Sequence, residues 1–511
     1  MTATVEQDRS GPSRLGSQTL TVGRRAGQVG VRAVVAVVVL VVLAAIGWLV
    51  PMYSPFALAG AVLVLLIGLT AHEPAAIPLA AMPAMVVVQR IGGESVNLTF
   101  SDFALFIAFW CALFFARRPF SRPMRTLLWL SAIYQAATLF TVVANPYRQN
   151  TVEWFHAWLS VGGALVVGWA IGRAGRARTG LTLFLLACVG IAVLTCIDAG
   201  QQLADGASGP VYLEWPFLMH KNFIGCVLAF AALLAYARPD WLGWPRVLSL
   251  TTFWLFVLAI VGSQARQALV GLSVGVLVVA MRPSPGRHRS KLILLAVVPG
   301  LYFVGAAIQD QLESTDLFNS AHQRLTWYQQ AIEIWQENPV VGVGLRWWTA
   351  GRTEYTFQPP NAELEVMSSA GLVGLIGFLV LMGGALVVLW RLDRRFGTLA
   401  FAILLTRLVQ SQFDLFWSAI VVSVPFVLIG ICLGAQALAA EQAGTADDGL
   451  DRPGARTDPD RWAEHEAQVT AAEEPRITDP RERPYRSPLA DPSPRLGPVA
   501  PGSPATDGGP R

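Results

Sequence analysis

Four polar segments stand out in an apolar sequence because their side chains could bind a ligand or move a proton. Charged side chains are expensive at membrane depth, so charges that lie between strongly apolar segments indicate function. Two adjacent tryptophans beside an arginine suit the apolar face and the polar rim of a sugar. The segments are Met219 to Asn222, with His220 and Lys221; Gly262 to Gln267, with Arg266; His322 and Arg324 together with Pro339 to Trp348, which includes Arg346; and Pro359 to Glu365, with Asn361 and Glu363.

Each segment also has a purely structural interpretation. Lys221 could reach the membrane interface beside a helix cap, and the tandem tryptophans could anchor their loop there. Arg324 could lie on a solvated helix face, and Asn361 could cap a helix whose first turn favours acidic residues. The tight turn at 262–267 needs glycine and polar residues but does not need Arg266, which favours a functional role for that arginine.

Signatures of common soluble enzymes are missing from the sequence. It contains no phosphate loop, dinucleotide-binding glycine fingerprint, nucleophilic serine turn or metal-spaced histidine cluster. The five cysteines lie within or beside apolar runs without a CxxC pair, so neither a disulfide framework nor a zinc site is expected. We therefore expect no metal ion, no cofactor and no nucleic-acid partner.

The elements that must position these segments are membrane-spanning helices. The 511 residues are 54% hydrophobic and 14% charged, with a mean hydropathy of +0.49, whereas soluble proteins are about 25% charged. Because one crossing needs roughly 20 apolar residues, the sequence predicts an all-α polytopic transmembrane bundle of about 12–14 spans. The predicted spans are about 33–50, 56–71, 75–91, 102–116, 126–144, 152–171, 180–199, 222–237, 246–262, 267–281, 291–308, 367–390, 397–410 and 416–438.

The placement of arginine predicts how these spans are oriented. Lys and Arg accumulate in short cytoplasmic loops, and most of the connections that return to the cytoplasm when the N-terminus lies inside are basic. Both termini are therefore expected in the cytoplasm of a multi-pass protein of the cytoplasmic membrane. The predicted regions are a cytoplasmic segment at 1–32, helices 1–11 at 33–308, one large extracytoplasmic loop at 309–366, helices 12–14 at 367–440 and a disordered cytoplasmic tail at 441–511.

Three elements carry more specific predictions. Within the large loop, Ser320 to Glu337 reads as an amphipathic helix with Leu325, Tyr328, Ile332 and Trp335 on one face. The third span holds two prolines and could be re-entrant. The short thirteenth span holds Arg407, which could pair with Asp414 inside the bundle or help to hold a diphosphate.

In this order, the four segments resemble the O-antigen ligase and polysaccharide polymerase superfamily of membrane proteins, over about residues 210–435. The residues that carry the resemblance are His220 to Gly225, Ser263 to Arg266, Arg324 with Pro339 to Gly344, and Asn361 to Gly374. The resemblance implies metal-independent transfer of a glycan from a polyprenyl-diphosphate-linked donor to a glycan or lipid-linked acceptor, at the outer face of a bacterial cytoplasmic membrane.

The same resemblance implies roles for individual residues. Fixed guanidinium groups can hold diphosphate oxygens through paired hydrogen bonds, which suits Arg266, Arg324 and Arg346. The other residues expected around the diphosphate are His220, Lys221, Asn222, Asn361 and Arg407.

The sequence departs from the family at the proposed base. Pro360 stands where the family has a histidine before Asn361, and proline cannot accept a proton. Glu363 and His322 are our candidates for the base, while Glu365 and His220 stay open as substitutes.

Two other functions stay open because of this departure. One is a multi-span transporter of a small anion or solute, and the other is a catalytically inactive envelope scaffold. A transporter should place polar groups or broken helices near the membrane midplane and often has internal repeats. The sequence shows no clear inverted repeat, and its charged candidates cluster at outer helix ends and in one loop.

Overall fold

A computed structural model describes residues 68–91, 98–115, 119–207, 209–283, 320–355 and 357–444, with short helical pieces at 64–66, 305 and 309. Apart from these short pieces, several predicted parts of the chain lie outside the described residues: the segment 1–32, the spans 33–50 and 291–308, most of the span 56–71 and the tail beyond 444. The predictions for these parts of the chain therefore stay predictions.

The described chain is almost entirely helical. The helices are α1 (Ala76–Ala84), α2 (Phe100–Phe115), α3 (Arg122–Ala144), α4 (Arg148–Trp158), α5 (Ala164–Arg173), α6 (Ala177–Ala204), α7 (Lys221–Ala237), α8 (Arg246–Ser263), α9 (Arg266–Met281), α10 (Ser320–Glu337), α11 (Ala362–Arg391), α12 (Arg394–Gln410) and α13 (Ala419–Gln442). A π-helical turn at Leu159–Gly163 joins α4 to α5, and Asp240–Leu242 form a 3₁₀ turn. The strands β1 (Arg90–Ile91) and β2 (Leu98–Thr99) pair antiparallel.

These helices confirm the predicted fold class, an all-α polytopic membrane bundle. Among the described residues, 6 helices are long and apolar enough to cross a membrane. They are α3, α4 continuing into α5, α6, α8, α11 and α13, while α2, α7 and α9 are apolar but shorter. The total of about 12–14 spans stays a prediction.

The predicted third span, 75–91, is not one helix. The helical segment Val64–His72 is followed by α1 at an angle of 117°, and the chain after α1 leads into β1. The two prolines that made this span doubtful, Pro78 and Pro83, lie within α1. The sharp break lies before them, between His72 and Ala76, where the sequence has Pro74.

Glycines let the backbones of α5 and α13 touch. A β-carbon at Gly168 would overlap the carbonyl oxygen of Val427, and one at Gly430 would overlap the carbonyl oxygen of Leu165. Gly172 and Gly434 repeat the same arrangement one turn further on. Small residues spaced four apart let two membrane helices touch along their backbones, so these positions fix where the two most buried spans cross.

Helix α11 is broken near its start, and a loop segment completes its hydrogen bonds. Gly371 has a φ of +65°, a conformation that favours glycine, and this interrupts the helical ladder. The N–H groups of Leu372 and Val373 donate to the carbonyls of Pro339 (2.9 Å) and Val340 (3.1 Å). In return, the Gly344 N–H donates to the Ser369 carbonyl at 2.9 Å. The Pro339 to Gly344 motif therefore satisfies backbone groups that the break leaves open.

Helix α10 has the predicted bounds, and the residues that it buries against the protein include positions outside the predicted apolar face. Leu325 and Ile332 are 51% and 40% exposed, whereas Ala331 and Ile334 are buried. Tyr328 donates its hydroxyl hydrogen to the Pro360 carbonyl at 3.4 Å. Helix α10 therefore packs against the start of α11. The helical periodicity of the sequence does not reveal this contact.

Candidate functional site

Three basic side chains from separate parts of the sequence form a cation cluster, made of Lys221, Arg266 and Arg324. The charges of Arg266 and Arg324 both act on Lys221 by Coulomb repulsion. Within the described residues, no carboxylate forms an ion pair with any of these three side chains. Like charges held together without an acid are costly, so this arrangement favours an anionic ligand.

The motif that begins α7 explains how Lys221 comes close to Arg266. His220 caps the helix by accepting a hydrogen bond from the Asn222 N–H at 3.2 Å. Desolvation lowers the pKa of the His220 imidazole although Asp414 acts in the opposite direction, so the ring is neutral at pH 7 and its nitrogen can accept. Gly225 lies where a β-carbon would overlap that of Ala265. The glycine thus lets the starts of α7 and α9 approach each other closely.

Asp414 ties these two helix starts together from the turn that follows α12. One carboxylate oxygen accepts from the Asn222 amide at 3.2 Å and the other from the Gln267 amide at 3.4 Å. The Leu415 N–H donates to the first oxygen at 2.9 Å. Burial raises the pKa of the Asp414 carboxyl, and the charge of Arg407 opposes this rise. Asp414 therefore holds the starts of α7 and α9 in place beside the cation cluster.

Arg407 holds the same turn, residues 411–418, from inside the bundle. It is fully buried, and one of its terminal nitrogens donates to the carbonyls of Leu415 (2.7 Å) and Phe416 (2.6 Å). Its guanidinium lies 4.8 Å from the centre of the Phe416 ring. The charge of Asp414 acts on Arg407, which supports a structural pair of the kind considered for these two residues.

The start of α11 lies on the other side of this turn. Asn361 caps the helix by accepting from the Leu364 N–H at 3.0 Å, as expected from its type and position. The Ala362 N–H donates to the carbonyl of Ser411 at 2.9 Å. Both carboxylate oxygens of Glu363 accept from the Gln412 amide at 3.0 Å. The 411–418 turn therefore joins the N-terminal ends of α7, α9 and α11, where helix dipoles place partial positive charge.

Arg346 belongs to a second group of charges, which the sequence analysis missed. Its Nε donates to Glu153 at 2.6 Å. Glu153 also contacts His156 at 3.4 Å, and His156 contacts Asp102 at 3.0 Å. All three of these partners are buried. The sequence did contain a signal for this group, because Asp102 lies in the predicted span 102–116 and Glu153 and His156 lie in the predicted span 152–171, where ionisable residues are rare.

A pocket opens beside this second group, and we call it the aromatic pocket. The enclosed part of this pocket has a volume of about 20 Å³, room for little more than one water molecule, and the rest of the opening is exposed to solvent. Tyr134, Trp347, Trp348 and Trp417 line it together with Glu153, Arg346, Gln358, Glu365 and Ser369. The ring of Trp417 is stacked on Tyr134 with 5.1 Å between centroids, so this wall is fixed.

The structure thus distributes the predicted site residues over two neighbouring places. His220, Lys221, Asn222, Arg266 and Arg324 lie around the cation cluster, with Asn361 and Glu363 across the 411–418 turn. Arg346 lies apart from them at the aromatic pocket, and Arg407 lies buried beneath the turn. His322 lies in α10, two residues before Arg324, and the position of its side chain is not described.

Replacing Asp414 by alanine should destabilise the protein by about 3 kcal/mol, because three donors and buried Arg407 would lose their acidic partner. Thermal unfolding of the purified protein in lipid nanodiscs would measure the change. Asp414→Asn should cost less, since one acceptor oxygen remains. Asp205→Ala is the matched control, since Asp205 is exposed after α6. Equal unfolding of Asp414→Ala and the control would contradict this role.

The opposite end of the bundle is rich in arginine. Arg282, after α9, donates to the carbonyl of Leu392 at 3.1 Å, and Trp241 donates to the carbonyl of Arg395 at 3.2 Å. The C-terminal ends of α7, α9 and α11 therefore meet where Arg391, Arg394 and Arg395 also lie. The cation cluster and the basic loops lie at opposite ends of the same helices.

Fold and site together define a polytopic helical membrane protein with a cluster of basic side chains at one end of its bundle. Residues 251–379 match the family model described as O-antigen ligase, which confirms the resemblance that the sequence motifs indicated. The match runs from within α8 to within α11 and contains Arg266, Arg324, Arg346, Asn361 and Glu363. It supports a membrane enzyme of the ligase or polymerase type, a family that implies lipid-linked glycan substrates in general. No curated protein matches the chain.

Proposed function

We propose that this protein is a glycosyltransferase of the cytoplasmic membrane, which moves a glycan from a polyprenyl-diphosphate carrier to an acceptor sugar at the outer face. The observation that carries the proposal is the cation cluster. Lys221, Arg266 and Arg324 lie together beside three helix starts, and no carboxylate of the described residues forms an ion pair with them. A diphosphate is the anion that a lipid-linked glycan donor would bring to such a site.

The chemistry of the donor explains why fixed cations would help. As the bond between the sugar carbon and the phosphate oxygen breaks, negative charge grows on the departing polyprenyl diphosphate. Guanidinium groups can meet that charge with paired, charge-assisted hydrogen bonds, and donors already in place need no reorganisation during the reaction. Arg266 and Arg324 would therefore act most strongly in the transition state, with Lys221 as a further point charge.

Transfer also requires a base that accepts the proton of the acceptor hydroxyl. A new bond forms between this oxygen and the sugar carbon, the diphosphate leaves with the electron pair of the old bond, and the hydroxyl proton goes to a base. We assign this base to Glu363, a half-buried carboxylate in the first turn of α11, three residues after Pro360, where Gln412 orients it. His322 in α10 is the second candidate.

The other predicted residues would support the site without touching phosphate. Arg407 is already bonded to two carbonyls beneath the turn, and Arg346 is already paired with Glu153. Asn222 and Asn361 hold Asp414 and the start of α11 in place.

The distribution of charge supports the proposed orientation. Arginine-rich loops favour the cytoplasm, and these loops lie at the end of the bundle opposite the cation cluster. The site would then face outward, with both termini inside.

Transfer can be measured directly with the full-length protein in proteoliposomes. A labelled oligosaccharide on polyprenyl diphosphate should give product when an oligosaccharide acceptor is added. Unlabelled polyprenyl diphosphate should inhibit at least tenfold more strongly than the same polyprenyl alcohol, since only the first carries the anion. Absence of product, together with equal binding of diphosphate and alcohol, would rule out the proposed reaction and favour a transporter or a scaffold.

A further inference from the structure

We propose that three arginines at the end of the bundle opposite the cation cluster bind the phosphate of an anionic phospholipid. We call Arg282, Arg394 and Arg395 the arginine group. They surround the place where α7 and α9 end and α12 begins. The inference goes beyond the proposed transfer reaction and does not depend on it.

Arg282 is a buried cation whose hydrogen-bond partners carry no negative charge. It is only 8% exposed, although it follows directly after α9 at the end of the bundle. One terminal nitrogen donates to the carbonyls of Trp390 and Leu392, and the guanidinium lies 4.4 Å from the centre of the Trp390 ring. The other terminal nitrogen is buried and has no hydrogen-bond partner among the described residues. A cation withdrawn from water in this way is stabilised by an anion nearby.

Two exposed arginines at the start of α12 add to this charge. Burial lowers the pKa of the Arg282 guanidinium, the charge of Arg394 lowers it further, and Asp393 opposes both effects. Asp393 caps α12 by accepting from the Arg395 N–H at 3.0 Å. Among the described residues, no carboxylate forms an ion pair with the three arginines. Because the arginines outnumber Asp393, positive charge remains in excess and favours an anionic ligand.

Another arginine at the same end is already engaged by an acid. Trp244, which precedes α8, donates to the Thr182 hydroxyl at 3.2 Å, so the start of α6 lies at this end as well. There, Arg176 pairs with Glu73 at 2.9 Å. The accumulation of arginine in short cytoplasmic loops accounts for exposed basic residues but does not require a buried one. The arginine group therefore needs a further explanation, and Arg282 is the residue that requires it.

Tryptophans around the arginine group indicate that it lies at the level of the lipid headgroups. Trp390, at the end of α11, is 53% exposed although Arg282 lies over its ring. Trp241 donates to the Arg395 carbonyl at 3.2 Å. Tryptophan is enriched at the membrane–water interface, where lipid phosphates also lie. Since guanidinium groups bind phosphate oxygens through paired hydrogen bonds, a lipid phosphate is the anion that this position supplies.

The space between the three arginines admits a headgroup only at its outer surface. Its enclosed part has a volume of about 10 Å³, room for about one water molecule. The lipid is therefore expected to stay in the bilayer, with its phosphate on the exposed guanidinium groups of Arg394 and Arg395. Arg282 would contribute its charge from behind them. A lipid without net charge gains less from such a group than an anionic lipid does.

Lipid binding can be measured by native mass spectrometry of the full-length protein purified in detergent. The protein would be titrated with dioleoylphosphatidylglycerol and, separately, with dioleoylphosphatidylcholine, which has no net charge. Phosphatidylglycerol should bind about tenfold more tightly, since each basic side chain near an anionic headgroup contributes roughly a fivefold gain in affinity. Equal affinities for the two lipids would overturn the inference.

The exposed arginines allow a variant that leaves the buried contacts of Arg282 in place. Arg394→Gln combined with Arg395→Gln should abolish most of the preference for phosphatidylglycerol, and thermal unfolding would verify that the protein is still folded. The matched control is Arg176→Gln, because Arg176 lies at the same end but is paired with Glu73. This control should keep the wild-type preference. A double variant that also keeps it would show that the arginine group is not the site.

Two further measurements identify the place and the ligand. Arg266→Ala, at the cation cluster, should leave the lipid preference unchanged, and its loss there would move the lipid to that cluster instead. Inorganic phosphate should not displace phosphatidylglycerol, and displacement at concentrations similar to those of the lipid would indicate a site for free phosphate. None of these measurements requires glycan transfer, so failure of the proposed reaction and failure of this inference can be told apart.

Discussion

Replacement of Arg266 or Arg324 by alanine should lower glycan transfer by about 100- to 1,000-fold. This is the range found when one fixed donor to a developing negative charge is removed, about 2.7–4 kcal/mol. The loss should appear mainly in kcat, since the charge on the leaving diphosphate is greatest in the transition state. Initial rates with labelled polyprenyl-diphosphate-linked oligosaccharide would provide the measurement.

Two further variants sharpen this expectation. Arg324→Lys keeps the charge but loses the paired donor geometry, so its rate should fall between those of the wild type and Arg324→Ala. Arg246→Ala removes an exposed arginine at the start of α8, at the opposite end of the bundle, and should leave the rate unchanged. If both cluster variants kept wild-type rates, the donor would have to bind elsewhere.

Replacement of Gly168 by leucine should prevent formation of the native bundle. Any β-carbon at this position overlaps the backbone of α13, so the two helices would have to separate. Both spans are central, with 89% of their apolar windows buried, and moving them apart would disturb packing throughout the core. The yield of monodisperse protein in detergent, followed by thermal unfolding, would report the loss.

The control for this change is another leucine on a helix. Gly190 lies on α6 with no atom near the position of an added β-carbon, so Gly190→Leu should be tolerated. A Gly168→Leu protein with the yield and unfolding temperature of this control would show that the two helices can separate freely.

Much of the helical framework followed from local sequence. The predicted spans 102–116, 126–144 and 246–262 differ from α2, α3 and α8 by only a few residues at their ends. The bounds of α10 and the cap at Asn361 were also predicted correctly. Long apolar runs and capping residues act within a few turns of chain, so they can be read without knowing the fold.

Contacts between distant parts of the chain were harder to predict. The buried group of Asp102, Glu153 and His156 was missed because only the packed structure brings Asp102 to His156, which lies 54 positions further along the chain. The pairing of Arg346 with Glu153, 193 positions apart, separates that arginine from the cation cluster. The side of α10 that contacts the protein also depends on a distant partner, since Tyr328 donates to the Pro360 carbonyl while Leu325 stays exposed.

The sequence by itself determined the all-helical membrane class, the identity of the cationic residues and the resemblance to O-antigen ligases, because hydropathy and short motifs are local properties. Only the tertiary structure decided which of those charges share a site. Lys221 and Arg266 meet because Gly225 lets two helices touch and Asp414 joins their ends. Burial leaves each polar group needing a partner, and the folded chain alone determines which partner lies within reach.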